Sequence, residues 1–357
     1  MTTPTVARSA TAAERATHWL RRRLGRAVVV SYLTALLLPG PGLWLRHPHT
    51  LLHAGLTLHT ASLLLSLLLF SAGLQVPVHA LGQLARRPRA LLAGLALHVA
   101  APLLIIPAVA FLLQHSPDSD GGSGLLTAMI LIVAMPVAAG ATVWTGKGHG
   151  DQPTMVGLVI VSTLVSPLTV PAVVGLLTPL LSTGYAEVLR AAGPTVDGGF
   201  ALTGVVLPCS AGIAARLLLP ERGLDRTQRI IVPVALVGSL VLTYTNASGA
   251  LGSFVTHPRP LLLAAALVVA SLVCALSFTV GRTAARLLRL DAPAASSLTL
   301  ACGMNNSSAS AVLISTALPD KPYLLLPVLA YGLLQKTAAS RIVRTARSQR
   351  PPCPVPS

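Results

Sequence analysis

The stretch LTLACGMNNSSASAVL, residues 298–313, interrupts an apolar run with two adjacent asparagines, Asn305 and Asn306, two residues after Gly303. Polar side chains are costly in the middle of a membrane helix because no water is present to satisfy them. Glycine permits unusual backbone dihedral angles, while asparagine and serine satisfy freed backbone groups or coordinate a ligand. If the surrounding chain spans a membrane, this stretch predicts a broken helix.

The composition of the surrounding chain is that of a membrane protein. Of the 357 residues, 53% are hydrophobic and 10% are charged, whereas a soluble domain has about 25% charged residues. Long apolar runs separated by short charged connectors indicate a polytopic helical membrane protein. The formal charge of +16 comes from arginines in short connectors, which indicates orientation in a membrane rather than a nucleic-acid partner.

Runs of about 20 apolar residues mark the candidate membrane spans. Ten of them begin near Ala27, Leu51, Ala90, Leu125, Thr154, Phe200, Ile230, Leu261, Ala295 and Tyr323. Basic residues concentrate at Arg21–Arg26, Arg86–Arg89, Lys147, Arg216–Arg229, Arg282–Arg289 and Arg341–Arg350. Ten spans with both termini inside place every basic connector in the cytoplasm. The Ala-, Leu- and Arg-rich composition suggests a bacterial inner (plasma) membrane protein.

A second interrupted stretch, AMPVAAGATVWTGKGHGD at residues 134–151, contains Pro136 and Gly140 in the fourth predicted span. The two interrupted spans are the fourth of each five-span half, and an odd number of spans inserts the second half in the opposite sense. Such paired interruptions point to a transporter built from inverted repeats. Ordinary helix packing through small and polar residues is the alternative for both stretches.

These observations divide the chain into five predicted parts. They are a cytoplasmic N-terminal segment at 1–25, a first five-span repeat at 26–180, an extracytoplasmic connector at 181–199, a second five-span repeat at 200–343, and a disordered cytoplasmic tail at 344–357. The fold class is therefore an all-α polytopic membrane protein of about ten helices in two inverted repeats.

Three parts of the chain resemble the bile acid:sodium symporter family. Residues 71–113 are similar to its second and third spans, residues 135–171 to its fourth and fifth, and GMNNS at 303–307 to its Gly-Met-Gln-Asn-Ser motif. The resemblance implies that broken helices 4 and 9 cross in a core domain beside a panel domain. It also implies secondary transport of a small organic anion by alternating access.

The resemblance implies sodium ligands as well, of which this chain keeps few. The family's glutamate falls on Ala301 and its Ser-Asn pair on Ala141 and Thr142, while the motif glutamine becomes Asn305. No predicted span contains a carboxylate. We therefore expect altered or lost sodium coupling, with Asn305 and Thr142 as residual sodium ligands and no other cofactor.

The expected binding residues are Asn305, Asn306, Ser307, Thr142, Gly303, Gly140 and His98. His98 is an ionisable group within a span, so it is either a proton relay or a neutral histidine at a helix contact. The patch Thr243–Asn246 lines an outer vestibule or caps a helix. Lys336 is expected to lie toward the cytoplasmic end of the last span and to snorkel.

The predicted function is that of a secondary transporter, with a small organic anion and the lipid bilayer as partners and no nucleic acid. The alternative, favoured by the missing carboxylate, is a non-transporting membrane sensor or scaffold that retains the transporter fold. No motif indicates an enzyme. The sequence leaves the substrate, the coupling ion and the oligomeric state open.

Overall fold

The structure is a computed structural model that describes residues 19–20, 23–47, 49–50, 57–77, 88–114, 122–193, 195–256 and 258–348. Several predictions lie outside these residues. They concern most of the N-terminal segment, the arginines at 86 and 87, the loops around Asp118 and His257, and the tail beyond residue 348.

The described chain is helical except for its irregular connectors and one short antiparallel ladder, in which β1 (His49–Thr50) pairs with β2 (Thr57–Leu58). The first seven helices are α1 (Leu24–Leu37), α2 (Pro39–Arg46), α3 (Thr60–Leu74), α4 (Pro88–Leu113), α5 (Ser123–Val133), α6 (Ala141–Lys147) and α7 (Gln152–Leu177). The others are α8 (Thr183–Ala191), α9 (Leu207–Leu218), α10 (Glu221–Thr256), α11 (Pro260–Leu287), α12 (Ala292–Gly303), α13 (Ser307–Ala317) and α14 (Leu325–Ser348). Short 3₁₀ turns lie at Thr178–Leu180 and Pro322–Leu324, and π-helical turns at Thr195–Gly199 and Ala201–Val206 lead into α9.

Several of these helices can cross a bilayer. Among the described residues, five are long and apolar enough, namely Arg89–Leu113, Gln152–Leu180, Ala201–Leu218, Glu221–Gly252 and Pro260–Leu287. The pair α1 and α2, bent by 94°, passes the same test as one unit, and α3, α5 and α13 are shorter apolar helices. The protein is therefore an all-helical membrane protein. Of the ten predicted spans, the fourth and ninth are each divided between two short helices, the second corresponds to the 15-residue α3, and the tenth corresponds to α14, which does not pass the test.

The helices pack into two groups. The first group consists of α1, α2, α3, α9 and α10, with α10 packed against α1, α2 and α3. The second group consists of α4 to α7 and α11 to α14, where α11 packs along α12 and α14, and α4 along α7. Every residue of α5 is buried, so this short helix forms the centre of the second group.

Helices α3 and α9 of the first group approach each other through glycine. A Cβ atom on Gly73 would overlap the backbone carbonyl of Cys209, and one on Gly212 would overlap the carbonyl of Phe70. Small residues allow such backbone contact, which provides much of the packing energy between helices in a membrane. Within the first group, α3 and α9 are therefore in direct backbone contact.

We predict opposite effects for two Gly→Ala substitutions within helices. Gly212→Ala should lower the stability by about 1 to 3 kcal/mol, because the methyl group overlaps the backbone of α3. Gly175→Ala is the matched control, since a Cβ there meets nothing within 4 Å, and alanine favours a helix over glycine by up to about 1 kcal/mol. Thermal unfolding of the two purified variants checks this. Equal stability would show that the α3–α9 contact is not tight.

Candidate functional site

The two predicted interruptions are real breaks in the helices, and they lie against each other. Helix α5 ends at Val133 and α6 begins at Ala141, while α12 ends at Gly303 and α13 begins at Ser307. The amide N–H of Ala138 donates to the carbonyl of Met304 at 2.8 Å, and that of Asn306 donates to the carbonyl of Pro136 at 3.0 Å. Val137 and Asn305 thus form an isolated antiparallel bridge. Each break satisfies backbone groups that the other leaves free.

A side chain from α7 completes this pairing. The amide N–H of Val137 donates to the hydroxyl oxygen of Ser162 at 3.1 Å. Pro136 precedes it and has no N–H to satisfy. The first break is therefore fixed by α7 on one side and by the second break on the other.

Asn305 is buried at the bridge, with 2% of its surface exposed. Its Nδ2 donates to the hydroxyl of Tyr331 at 3.1 Å, and that hydroxyl donates to the carbonyl of Gly303 at 3.2 Å. The Oδ1 atom of Asn305 is buried and has no hydrogen-bond partner. An unpaired buried acceptor costs about 1 to 3 kcal/mol, so this oxygen is a candidate ligand atom.

Asn306 and Ser307 begin the helix after the second break. The Oδ1 atom of Asn306 accepts from the amide of Ala309 at 3.1 Å, which makes Asn306 the N-cap of α13. The hydroxyl oxygen of Ser307 accepts from Nε2 of Gln335 at 3.3 Å. Asn306 is thus occupied in capping, whereas the Ser307 hydroxyl keeps its own proton for donation.

Two cavities lie where the helix groups meet. The large cavity, of about 490 Å³, lies between α3 and α9 on one side and α6 and α7 on the other, with Gly140 and Thr142 in its wall. The small chamber, of about 30 Å³, lies between α1, α10, α13 and α14, and Ser307 is in its wall. Three of the predicted site residues thus line a cavity, whereas Gly303, Asn305 and Asn306 line neither. His98 is buried on α4 and lines neither cavity.

The prediction that Gly140 and Gly303 allow an unusual backbone conformation is wrong. Gly140 has φ −61° and ψ −19°, which is ordinary helical backbone, and Gly303 lies within α12 without a positive φ. A Cβ on Gly303 would instead overlap the ring of Phe278. Gly303 is therefore required by close packing between α12 and α11 rather than by an unusual backbone conformation.

Two of the positions where the resemblance implies sodium ligands are apolar and buried, since Ala141 and Ala301 are each at most 3% exposed. The described residues contain no group of three or more His, Cys, Asp or Glu side chains that could hold a metal ion. The remaining oxygens are Asn305 Oδ1 and the Thr142 hydroxyl, which donates to the carbonyl of Ala139 at 2.7 Å. This donor set does not fit a sodium site with several oxygen ligands and a carboxylate.

Sequence reasoning missed Tyr331, Ser162 and Asp151. Asp151 caps α7 by accepting from the amide of Thr154 at 3.2 Å, and its own amide donates to the carbonyl of Pro293 at 3.1 Å. It therefore joins the start of α7 to the start of α12. The Gly-Asp pair after the first break was visible in the sequence, but nothing in the sequence indicates which distant residue it contacts.

Comparison with known proteins gives two matches. The model of the Sodium Bile acid symporter family matches residues 62–257, which is more than half of the chain and includes the first break. The chain is also similar to the "Uncharacterized sodium-dependent transporter YocS" of Bacillus subtilis (strain 168). The two are 24% identical over 258 residues, which cover 71% of this chain and 72% of the relative.

The capping contact of Asn306 can be separated from other roles of this residue. Asn306→Ala should lower the stability by about 1 kcal/mol, because the amide of Ala309 loses its acceptor. Asn306→Ser keeps a capping oxygen, so its stability should fall by only a fraction of this amount. Thermal unfolding of both variants checks this, and equal losses would mean that the side chain stabilises α13 in some other way.

Proposed function

Because the chain belongs to the Sodium Bile acid symporter family, we propose that it is a secondary transporter of a small organic anion that works by alternating access. The observation that carries this proposal is the pairing of the two helix breaks, with Asn305 Oδ1 buried beside them and without a partner. Broken helices that meet in a membrane are a recurring way to build a transport site.

The proposed architecture is ten spans in two inverted repeats, at residues 26–180 and 200–343. The order of helices supports it, because α5–α6 and α12–α13 are each a broken pair followed by a long helix, α7 or α14. In this arrangement the second helix group is the core domain and the first helix group is the panel domain. Both termini are in the cytoplasm, and the membrane is the bacterial plasma membrane.

The two cavities support alternating access. The large cavity contains Gln75, next to the basic connector that ends at Arg89, so with cytoplasmic termini it opens toward the cytoplasm. The small chamber contains Thr243 and Asn246, which lie in the half of α10 that is farther from its basic N-terminal residues. The conformation would then be open to the inside and closed to the outside.

The charge of the walls favours an anion. Neither cavity is lined by an aspartate or a glutamate, and Lys336 is the charged residue in the wall of the small chamber. The amides at the N-terminus of α13 add a partial positive charge near Ser307. Thr142, Asn305 and Ser307 are the proposed polar contacts for the solute, and Asn306 positions α13 by capping it.

The alternative is a membrane sensor or scaffold that keeps the fold without transport. The buried alanines at positions 141 and 301 favour it, because a transporter that has lost its coupling ion has also lost a driving force. The two hypotheses differ in motion. A transporter exposes both cavities in turn, whereas a scaffold needs to expose one.

Cysteine labelling tests this difference without knowledge of the substrate. In a background without the four native cysteines, Val143→Cys lines the large cavity and Ser308→Cys lines the small chamber. We expect a membrane-impermeant thiol reagent to modify Val143→Cys from the cytoplasmic side and Ser308→Cys from the outer side of oriented vesicles. In the double variant, modification of either position should slow the other, because each traps one conformation.

The matched control is Ala128→Cys, at a position of α5 with 0% exposure, which should remain unmodified from both sides. If Ser308→Cys also stays unmodified from outside, while Val143→Cys reacts fully, the protein does not alternate and the scaffold hypothesis replaces transport.

Sodium binding has a separate test. We expect the same thermal midpoint in sodium chloride and in choline chloride at matched ionic strength, because Ala141 and Ala301 supply no oxygen. A specific ligand in hundredfold excess over its Kd would stabilise the protein by about 2.7 kcal/mol. A sodium-specific rise that disappears in Asn305→Ala would contradict this expectation and identify Asn305 Oδ1 as a residual sodium ligand.

A further inference from the structure

Lys336 lies near the middle of α14, a helix of 24 residues. At 1.5 Å per residue, each end of the helix is about 18 Å away along the axis. The four-carbon stem of lysine is much shorter than this distance. The expectation that Lys336 snorkels stays a prediction, because α14 continues through Arg341 and Arg344 of the predicted cytoplasmic connector, five and eight residues after Lys336.

The other two lysines of the chain differ from Lys336 in their surroundings. Lys147 Nζ lies 4.8 Å from the ring centroid of Trp144, and Lys321 Nζ lies 4.6 Å from that of Tyr185. Within the described part of the chain, no residue accepts a hydrogen bond from Lys336 or pairs with its charge. An ammonium that lines a cavity between membrane helices is costly without a partner and is a functional candidate by default.

The side chain of Lys336 lines the small chamber and is exposed at its edge rather than enclosed by protein. The polar residues that share this chamber are Tyr32, Thr243, Asn246, Ser307 and Ser308. Two of their hydroxyl protons are already used, since Tyr32 donates to the carbonyl of Leu329 and Thr243 to that of Ser239. The lysine ammonium and the hydroxyls of the two serines at the start of α13, Ser307 and Ser308, are thus donors that remain available.

Asn246 provides independent evidence that the chamber can accept a further hydrogen-bond donor. It is 3% exposed, lines the chamber, and has an Oδ1 atom that is buried without a hydrogen-bond partner. Buried polar atoms almost always have a partner, so each exception needs an explanation. A lysine ammonium that moves into the chamber would supply a donor to this oxygen and still have two protons for a ligand.

We propose that Lys336 is the fixed positive charge that binds the carboxylate of the transported solute in the small chamber. The identity of this carboxylate as part of the solute rests on the proposed function; the anion site itself does not. Lys336 Nζ and the Ser307 hydroxyl would donate charge-assisted hydrogen bonds to the carboxylate, and the N-terminus of α13 would add its dipole.

The size and walls of the chamber define the ligand class. Its volume of about 30 Å³ is enough for about two water-sized groups, since roughly 10 to 15 Å³ of such space holds one, so it admits only a small polar group beside the ammonium. The apolar part of the wall is formed by Val28, Ala311, Val328 and Leu329, and no second cation lines it. The site therefore suits one singly charged carboxylate, with the remainder of the solute outside the chamber.

Acetate, the smallest stable carboxylate probe besides formate, tests the site directly. Thermal unfolding of the purified full chain is followed while acetate replaces methanesulfonate at a constant choline concentration, which keeps the ionic strength fixed. We expect a saturable rise in Tm of about 2 to 4 °C. The rise should be absent in Lys336→Met and present in Lys147→Met, the matched control outside the chamber.

Lys336→Met has a second signature that a merely structural lysine would not show. Its Tm in methanesulfonate alone should equal or exceed that of the parent, because the substitution removes an uncompensated charge and keeps the length of the side chain. Lys336→Arg retains the charge and should retain the acetate response, which keeps the test valid if the methionine variant does not fold.

The remaining outcomes overturn the proposal in distinguishable ways. An acetate response that persists in Lys336→Met, or no response in the parent protein, removes Lys336 from anion binding. An equal response to chloride removes the carboxylate assignment. If acetate binds through Lys336 but the cysteine labelling shows one fixed conformation, the anion site stands and transport fails; the reverse result leaves transport intact and removes this site.

Discussion

The structure depends on the hydrogen bonds between the two helix breaks. An unwound backbone inside a bilayer has no water to satisfy it, and each unsatisfied group costs several kcal/mol. The Ala138–Met304 and Asn306–Pro136 hydrogen bonds solve this problem for both breaks together. Neither α5–α6 nor α12–α13 is stable as a broken helix alone. The two halves of the chain therefore form one folding unit at their centre, and the packing of α7, α11 and α14 around that centre follows from it.

The helix breaks lack a carboxylate, and this determines the sign of the charge near them. Where the family resemblance implies a glutamate, this chain has Ala301, which is buried and close in sequence to the second break. In a medium of low dielectric constant one uncompensated charge dominates the local potential. Lys336 is such a charge beside the small chamber, so the potential there is positive. The loss of a carboxylate and the presence of this lysine thus act in the same direction and favour an anion.

The sequence predicted those features that are local in the chain. GMNNSS and PVAAG indicated breaks because glycine, proline and asparagine interrupt an apolar period, and the structure has breaks at both places. It could not predict that Tyr331 and Ser162 complete the site, because their contacts connect residues 26 and 25 positions apart. The depth of Lys336 in the membrane stays a prediction, because a helix boundary read from hydropathy ends where charged residues begin. In α14 the helix continues through them to Ser348.

The rigidity of the two helix groups suggests where motion would occur. Glycine contacts hold α3 against α9, and the paired breaks hold the second group together, so each group resists internal change. Between the groups, the hydroxyl of Tyr32 reaches the carbonyl of Leu329 through a long hydrogen bond of 3.4 Å. Both residues line the small chamber together with Lys336. Separation of the groups at this point would break that bond and open the chamber around the lysine. Access to the positive charge and the movement of the two groups would then be one event, which is the coupling that alternating access requires.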